Sequence, residues 1–223
     1  MRDSSVRQRI NRLIVVLAIL AVFLLLIVIT VVFIVKDKSF DAALFSFASD
    51  HTSPAITRIM RMISFLGKHS FLIPANILLI LLFSIIKEKW WAIRVTVVSI
   101  TSLGVMSLLK NLFRRIRPDD PLVDGITNYG FPSGHSTMAI AFYGLLAGWV
   151  AVMVENKLYR RSIIAFLILL VLMIGYSRIY LRVHYATDVL AGFCVGTIWL
   201  TFCLWLVKLF SNKSKRSLLV RNL

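Results

Sequence analysis

Long apolar runs separated by short charged breaks recur six times along the chain: Leu13–Val35, Phe71–Ile86, Trp90–Phe113, Ser136–Val154, Ser162–Tyr180 and Val189–Leu209. Each is near the roughly 20 residues that a helix needs to cross a hydrocarbon core. Lipid offers the backbone no hydrogen-bond partner, so runs of this kind form helices. The pattern predicts an all-α fold, a six-transmembrane helical bundle, with residues 1–223 as one integral-membrane domain. In the short second run, Pro74 falls in the predicted first turn, where a missing N–H costs little. The first run follows Arg2, Arg7, Arg9 and Arg12 and contains one polar residue, Thr30. It exceeds the ~7–15 residues of a signal-peptide core and reads as a retained span.

Between the first two spans lies a different pattern. Ser53 suits an N-cap and Pro54 the first helical position, and Ile56, Ile59, Met60 and Ile63 then follow at i, i+3, i+4 and i+7. With Gly67 as the stop, this predicts a short amphipathic helix on the outer interface. It either caps the bundle or admits a lipid sideways. Gly192 and Gly196 form a GxxxG pair at i+4 and i+8 from Asp188, and Thr101, Gly104 and Ser107 form a small-residue stripe leading to Lys110. Both read as helix-packing surfaces.

Composition supports the membrane reading: 59% of residues are hydrophobic and mean hydropathy is +0.84. The net charge of +16 raises a nucleic-acid partner. The basic residues instead cluster at the ends of apolar runs, as cationic flanks do. With an internal N-terminus, 15 of the 26 Lys and Arg residues fall in segments 1–12, 87–94, 155–161 and 208–223, which places both termini on the cytoplasmic side. Cys194 and Cys203 are nine residues apart in one apolar run, on nearly opposite helix faces, so they are not a disulfide pair. No metal-ligand spacing is present.

Three clusters carry chemistry, all at span ends on the predicted outer side: KNLFRRIRP from Lys110 to Pro118, PSGH from Pro132 to His135, and SRIYLRVHYATD from Ser177 to Asp188. Lys110 and Arg117 are seven apart and can share a helix face that Pro118 then ends. His184 and Asp188 are four apart, so on a helix the carboxylate reaches the imidazole. Arg178 projects from the end of the preceding span. Pro132, Ser133 and Gly134 open the fourth span, where helix-end amides bind anions. Aimed cations, a hydroxyl, amides and two histidines suit a phosphoryl group, whose charge spreads over three oxygens in the transition state. One His attacks phosphorus while Asp188 fixes its tautomer, and the other handles the leaving group and water. Taken singly, these cations read as snorkelling to headgroups. That reading also covers Arg114, Arg115 and Arg182, although Arg114, at i+4 from Lys110, could face the site.

The joint pattern K-x6-RP, PSGH and SR-x5-H-x3-D resembles the signature of the type 2 phosphatidic acid phosphatase family and matches every fixed position within 110–188. The resemblance implies a phosphatase needing no metal or other cofactor. It implies that His184 forms a phosphohistidine, Asp188 orients it and His135 is the general acid. Lys110, Arg117, Ser133, Gly134 and Arg178 would bind phosphate. A site at membrane depth points to a lipid-tethered phosphate in a bilayer, with no obligatory protein partner. Undecaprenyl diphosphate and phosphatidylglycerophosphate are the leading substrates; lipid A phosphates and phosphatidic acid share the same group. The expected setting is a bacterial cytoplasmic membrane with the site facing outward. Two other readings are a haloperoxidase, which six spans oppose, and a lipid transporter, which would place charges mid-span rather than at helix ends.

Overall fold

The computed structural model describes residues 4–221 except Ile126, with side chains described over 12–211. Helix α1 runs from Ser4 to Ile29 and continues as a π-helical turn, Thr30–Val35, closed by Lys36 in the left-handed region. Then come α2 (Ser39–Asp50), α3 (Pro54–Phe65), α4 (His69–Ile85), α5 (Lys89–Phe113), α6 (Gly134–Met153), α7 (Lys157–Tyr180) and α8 (Ala186–Arg221). Six stretches of the described residues are long and apolar enough to span a membrane: Arg12–Val35, Pro54–Ile85, Lys89–Phe113, Gly134–Met153, Lys157–Tyr180 and Ala186–Ser211. Leu20, Phe23, Leu78, Ile100, Phe166 and Leu172 stand exposed on these helices, as lipid-facing side chains do.

Helix α6 lies at the centre, packed on α5, α7 and α8, while α1 leans on α8 and α4 on α5. The GxxxG expectation holds. A Cβ at Gly192 would lie 2.7 Å from the Ser133 carbonyl, and one at Gly196 would lie 2.7 Å from Ile140 Cβ. The second stripe holds at Thr101, whose hydroxyl accepts from Trp199 Nε1 on α8 at 2.9 Å, and fails at its other two positions. Gly104 and Ser107 face outward, and a Cβ at Gly104 meets nothing within 4 Å. The inward face of α5 is instead Val95, Val98, Ser102, Met106 and Lys110, which turns with the helical period toward the site.

At the site end one expectation holds and two features differ. Residues 36–52, for which the sequence pattern predicts no element, contain α2, whose start is organised by Asp37 accepting from the Ser39 N–H at 2.8 Å. The interfacial helix forms as α3, with Ser53 Oγ accepting from the Ile56 N–H at 3.3 Å, and it packs on α7. Helix α4 starts at His69, so Pro74 lies past the first turn and the Ser70 carbonyl forgoes its helical donor.

Candidate active site

Connectivity brings the chemical residues together. The 114–133 segment joins the C-terminus of α5 to the N-terminus of α6, and 181–185 joins α7 to α8, so Lys110, Ser133, Gly134, Arg178, His184 and Asp188 gather at one end of the bundle. The α3–α4 junction lies at the same end: Tyr143 Oη donates to the Leu66 carbonyl at 3.0 Å. A Cβ on Gly67 would come within 3.3 Å of the His135 ring and 2.7 Å of Ile174. Gly67, expected only as a helix stop, is thus also a close-approach position beside His135.

Arg117 reaches the site by a route unlike the expected one. Helix α5 ends at Phe113, where Arg114 takes φ 46° and its N–H closes on the Lys110 carbonyl at 3.0 Å. Lys110 and Arg117 therefore share no helix face. The segment after the turn is pinned by Phe131 against Phe113 and Phe33, with ring centroids 4.9 and 5.2 Å away. A backbone bond from the Gly130 N–H to the Arg115 carbonyl (2.8 Å) folds it back. Arg117 then donates Nε to the Asn128 carbonyl at 2.6 Å and Nη1 to the Val183 carbonyl at 2.5 Å. Lys110 Nζ donates to the Tyr129 carbonyl.

Arg117 Nη1 also lies 3.0 Å from His184 Nε2. A guanidinium only donates, so Nε2 carries the lone pair and the ring proton sits on Nδ1. Nδ1 faces Asp188 Oδ2 at 3.5 Å, an ion-pair distance longer than a hydrogen bond. His184 precedes α8 rather than lying on it, and it folds toward Asp188 because its N–H donates to the Arg178 carbonyl at 3.2 Å. Burial pushes the His184 imidazole well below the usual histidine range, with Arg117, Arg178 and Lys110 adding to the effect and the Gly130 carbonyl opposing it. Burial likewise lowers Arg117, to about 10, against the opposing pull of Asp188.

Ser133 caps α6, its Oγ accepting from Ser136 Oγ at 3.0 Å, and its N–H donates to the Asp188 carbonyl at 2.9 Å. Gly134 lets α5 close in, since a Cβ there would sit 2.6 Å from Met106 Sδ. In the first turn of α6 the Ser136 N–H is taken by Ser133 Oγ and the Thr137 N–H by the Ser133 carbonyl, so an anion at this helix end would meet the Gly134 and His135 amides. Arg178 donates Nη1 to Ser64 on α3, and its Nε is buried with no hydrogen-bond partner. Arg178, His184 and Arg117 all lie within electrostatic range of His135, and so does His69 at the start of α4. Among the described residues no cluster of three His, Cys, Asp or Glu side chains suits a metal ion.

The sequence pattern of the PAP2 superfamily matches residues 91–211, an interval that holds every one of these signature residues. The chain belongs to the PAP2 superfamily. Phosphatidylglycerophosphatase B of Bacillus subtilis is 30% identical over 181 residues, covering 80% of this chain and 87% of that protein. An undecaprenyl-diphosphatase of Sulfolobus acidocaldarius is 26% identical over 176 residues, 75% of this chain and 78% of that one. The crystal structure of a transmembrane PAP2-type phosphatidylglycerolphosphate phosphatase from Bacillus subtilis superimposes with a TM-score of 0.76 at 27% identity, covering 88% of this chain and 96% of that one. The protein is therefore a multi-pass membrane phosphatase of the PAP2 lipid phosphatase family.

The expectation of headgroup snorkelling fails for Arg115. Its guanidinium turns inward, Nη1 donating to Asp188 Oδ1 at 2.5 Å and Nη2 to Asp41 Oδ2 at 2.7 Å. Asp41, on α2, went unnoticed in the sequence because α2 itself did. An acidic residue two positions after Ser39, in a helical first turn, was the available signal. Arg114 is exposed and donates Nε back to the Asn111 carbonyl at 3.0 Å, away from the site. Arg182 sits over the Phe45 ring of α2 at 5.7 Å.

Proposed function

We propose that the protein removes the terminal phosphate from a membrane lipid phosphate or diphosphate through a phosphohistidine on His184. The observation that carries this reading is the lone pair of His184 Nε2, held 3.0 Å from the Arg117 guanidinium in the company of Lys110 and Arg178. Nε2 attacks phosphorus and the bond from phosphorus to the lipid-side oxygen breaks. His135 gives that oxygen its proton. Water then attacks the P–N bond, His135 takes the water proton, and inorganic phosphate leaves with His184 neutral again. Asp188 faces the Nδ1 proton at 3.5 Å and compensates the cation that forms. Lys110, Arg117, Arg178, Ser133 and the Gly134 amide take the phosphoryl oxygens, the role a metal ion plays elsewhere.

The named relatives act on phosphatidylglycerophosphate and on undecaprenyl diphosphate, and these two lipids are our leading substrates. The orientation follows the basic flanks: both termini cytoplasmic, the site outward. The test is phosphate release by purified protein from a panel of phosphatidylglycerophosphate, undecaprenyl diphosphate, lipid A and phosphatidic acid in excess EDTA. Wild type releases phosphate from at least one, and His184→Ala, still folded, releases none and forms no acid-labile, alkali-stable phosphoprotein. Retained activity in His184→Ala overturns the mechanism.

A further inference from the structure

The Asp188 carboxylate is fully buried, at 0% exposure, and Asp41 is buried at 3%. Two carboxylates so placed repel each other unless a cation lies between, and Arg115 lies between them, one fork arm to each. Thr187 completes the join. Its N–H donates to Asp41 Oδ1 at 2.9 Å, and its hydroxyl lies 2.7 Å from both Asp41 Oδ2 and Arg115 Nη1. Arg115 stacks on the Tyr185 ring at 4.5 Å, and the Tyr185 N–H donates to Asp188 Oδ2 at 2.9 Å.

The charge count of this cluster has a consequence. Arg115 alone would neutralise Asp188 and leave nothing to offset a cationic His184. With Asp41 included, Asp188, Arg115 and Asp41 sum to one negative charge. That charge is delivered through an oxygen whose direction is fixed: Oδ1 is taken by Arg115, so Oδ2 is the atom left to face His184 Nδ1. The other groups facing His184 are Lys110 from α5, Arg117 from the 114–133 segment, Arg178 from α7, Asp188 from α8 and His135 from α6. Three of these are permanent or near-permanent cations, which makes a net negative cluster behind Asp188 the counterweight.

We propose that Asp41 and Arg115 are positioning residues for the reaction at His184, Arg115 fixing the direction of the Asp188 carboxylate and Asp41 restoring the negative charge that Arg115 removes. This rests on the phosphohistidine reading above. The test uses the full-length protein in detergent, with short-chain phosphatidylglycerophosphate or phosphatidic acid, whichever the wild type hydrolyses, as substrate. Asp41→Asn lowers kcat about tenfold with KM within about twofold of wild type, an effect on the transition state rather than on binding. It also moves the acid limb of the kcat/KM profile to lower pH by about half a unit or more, because removing a negative charge disfavours the cationic imidazole. Asp41→Glu restores part of kcat. Should Asp41→Asn not fold, the double variant Asp41→Leu with Arg115→Met keeps the cluster at one negative charge, now on Asp188 alone, and tests the orienting role by itself, with a similar fall in kcat expected. Wild-type kcat and acid limb in folded Asp41→Asn, or wild-type kcat in the double variant, overturn the proposal. His184→Ala run beside them separates the two ideas. If it is inactive while the network variants match wild type, the network inference alone fails; if it is active, the phosphohistidine reading fails.

Discussion

Arg117 Nη1 sits 3.0 Å from His184 Nε2, and of the two only the imidazole can accept. The contact sets the tautomer without any help from substrate and points the lone pair at a cation that suits phosphate. Arg117→Lys keeps a charge but loses the fork that reaches Asn128, Val183 and His184 together. The expected result is a fall in kcat of about 10²-fold, in the range for losing one aimed transition-state donor. Steady-state phosphate release measures it, with His184→Ala as the inactive reference.

The pH dependence follows from the depressed His184 imidazole. In the proposed mechanism His184 must be neutral to attack, and a group pushed below the ordinary value of 6.5 stays neutral as pH falls through that value. The acid limb of kcat/KM is therefore expected below pH 6.5. Stability has the same sign. The unfolded chain binds the proton more readily, so the contribution of a neutral buried His184 is full above about pH 6.5 and is lost as pH drops from there toward its folded value. Thermal melts from pH 7.5 to 5 check this, and His184→Gln flattens the dependence.

The spans and the signature were legible in the sequence because each obeys a local rule. A helix in lipid needs its apolar length, and the fixed spacings survive whatever carries them. The route to Arg117 was not legible: seven residues suggest a shared helix face, yet Arg114 turns left-handed and the chain finishes the journey as loop. Nor was the partnership of Arg115 with Asp41, which joins residues 74 apart in sequence through a helix with no apolar periodicity strong enough to announce it. Snorkelling is the usual fate of a basic residue at a span end, and only a buried carboxylate on another helix overrides it. Ser64 escaped notice similarly, as one small polar residue within an amphipathic face whose partner, Arg178, lies 114 residues on.

Arg178 is nearly buried, and Ser64 Oγ is the acceptor for its Nη1. Ser64→Ala removes an acceptor and leaves the guanidinium less firmly aimed. A hydrogen bond to a charged group is worth about 1.5–3 kcal/mol. Part of that is recovered by water, so inhibition by orthovanadate should weaken about three- to tenfold. A vanadate titration measures it, and helix α3 is then tied to phosphate binding rather than to bundle capping alone.

Gly192 and Gly104 make a matched pair in opposite surroundings. A Cβ at Gly192 would lie 2.7 Å from the Ser133 carbonyl and 2.8 Å from Ser136 Cβ, so Gly192→Ala pushes α8 from the N-terminus of α6. Backbone is the obstacle and cannot rotate aside, so the cost is about 1–3 kcal/mol. The shift falls where Ser133 N–H bonds the Asp188 carbonyl, so activity should fall along with the melting temperature. At Gly104 nothing lies within 4 Å of a Cβ. Gly104→Ala should leave activity unchanged, and the melting temperature equal or higher, because glycine inside a helix costs about 1 kcal/mol relative to alanine. Thermal melts and phosphate release on the two variants, side by side, test the close packing of α6 and α8. Equal behaviour of the two would show that this contact does not hold the site.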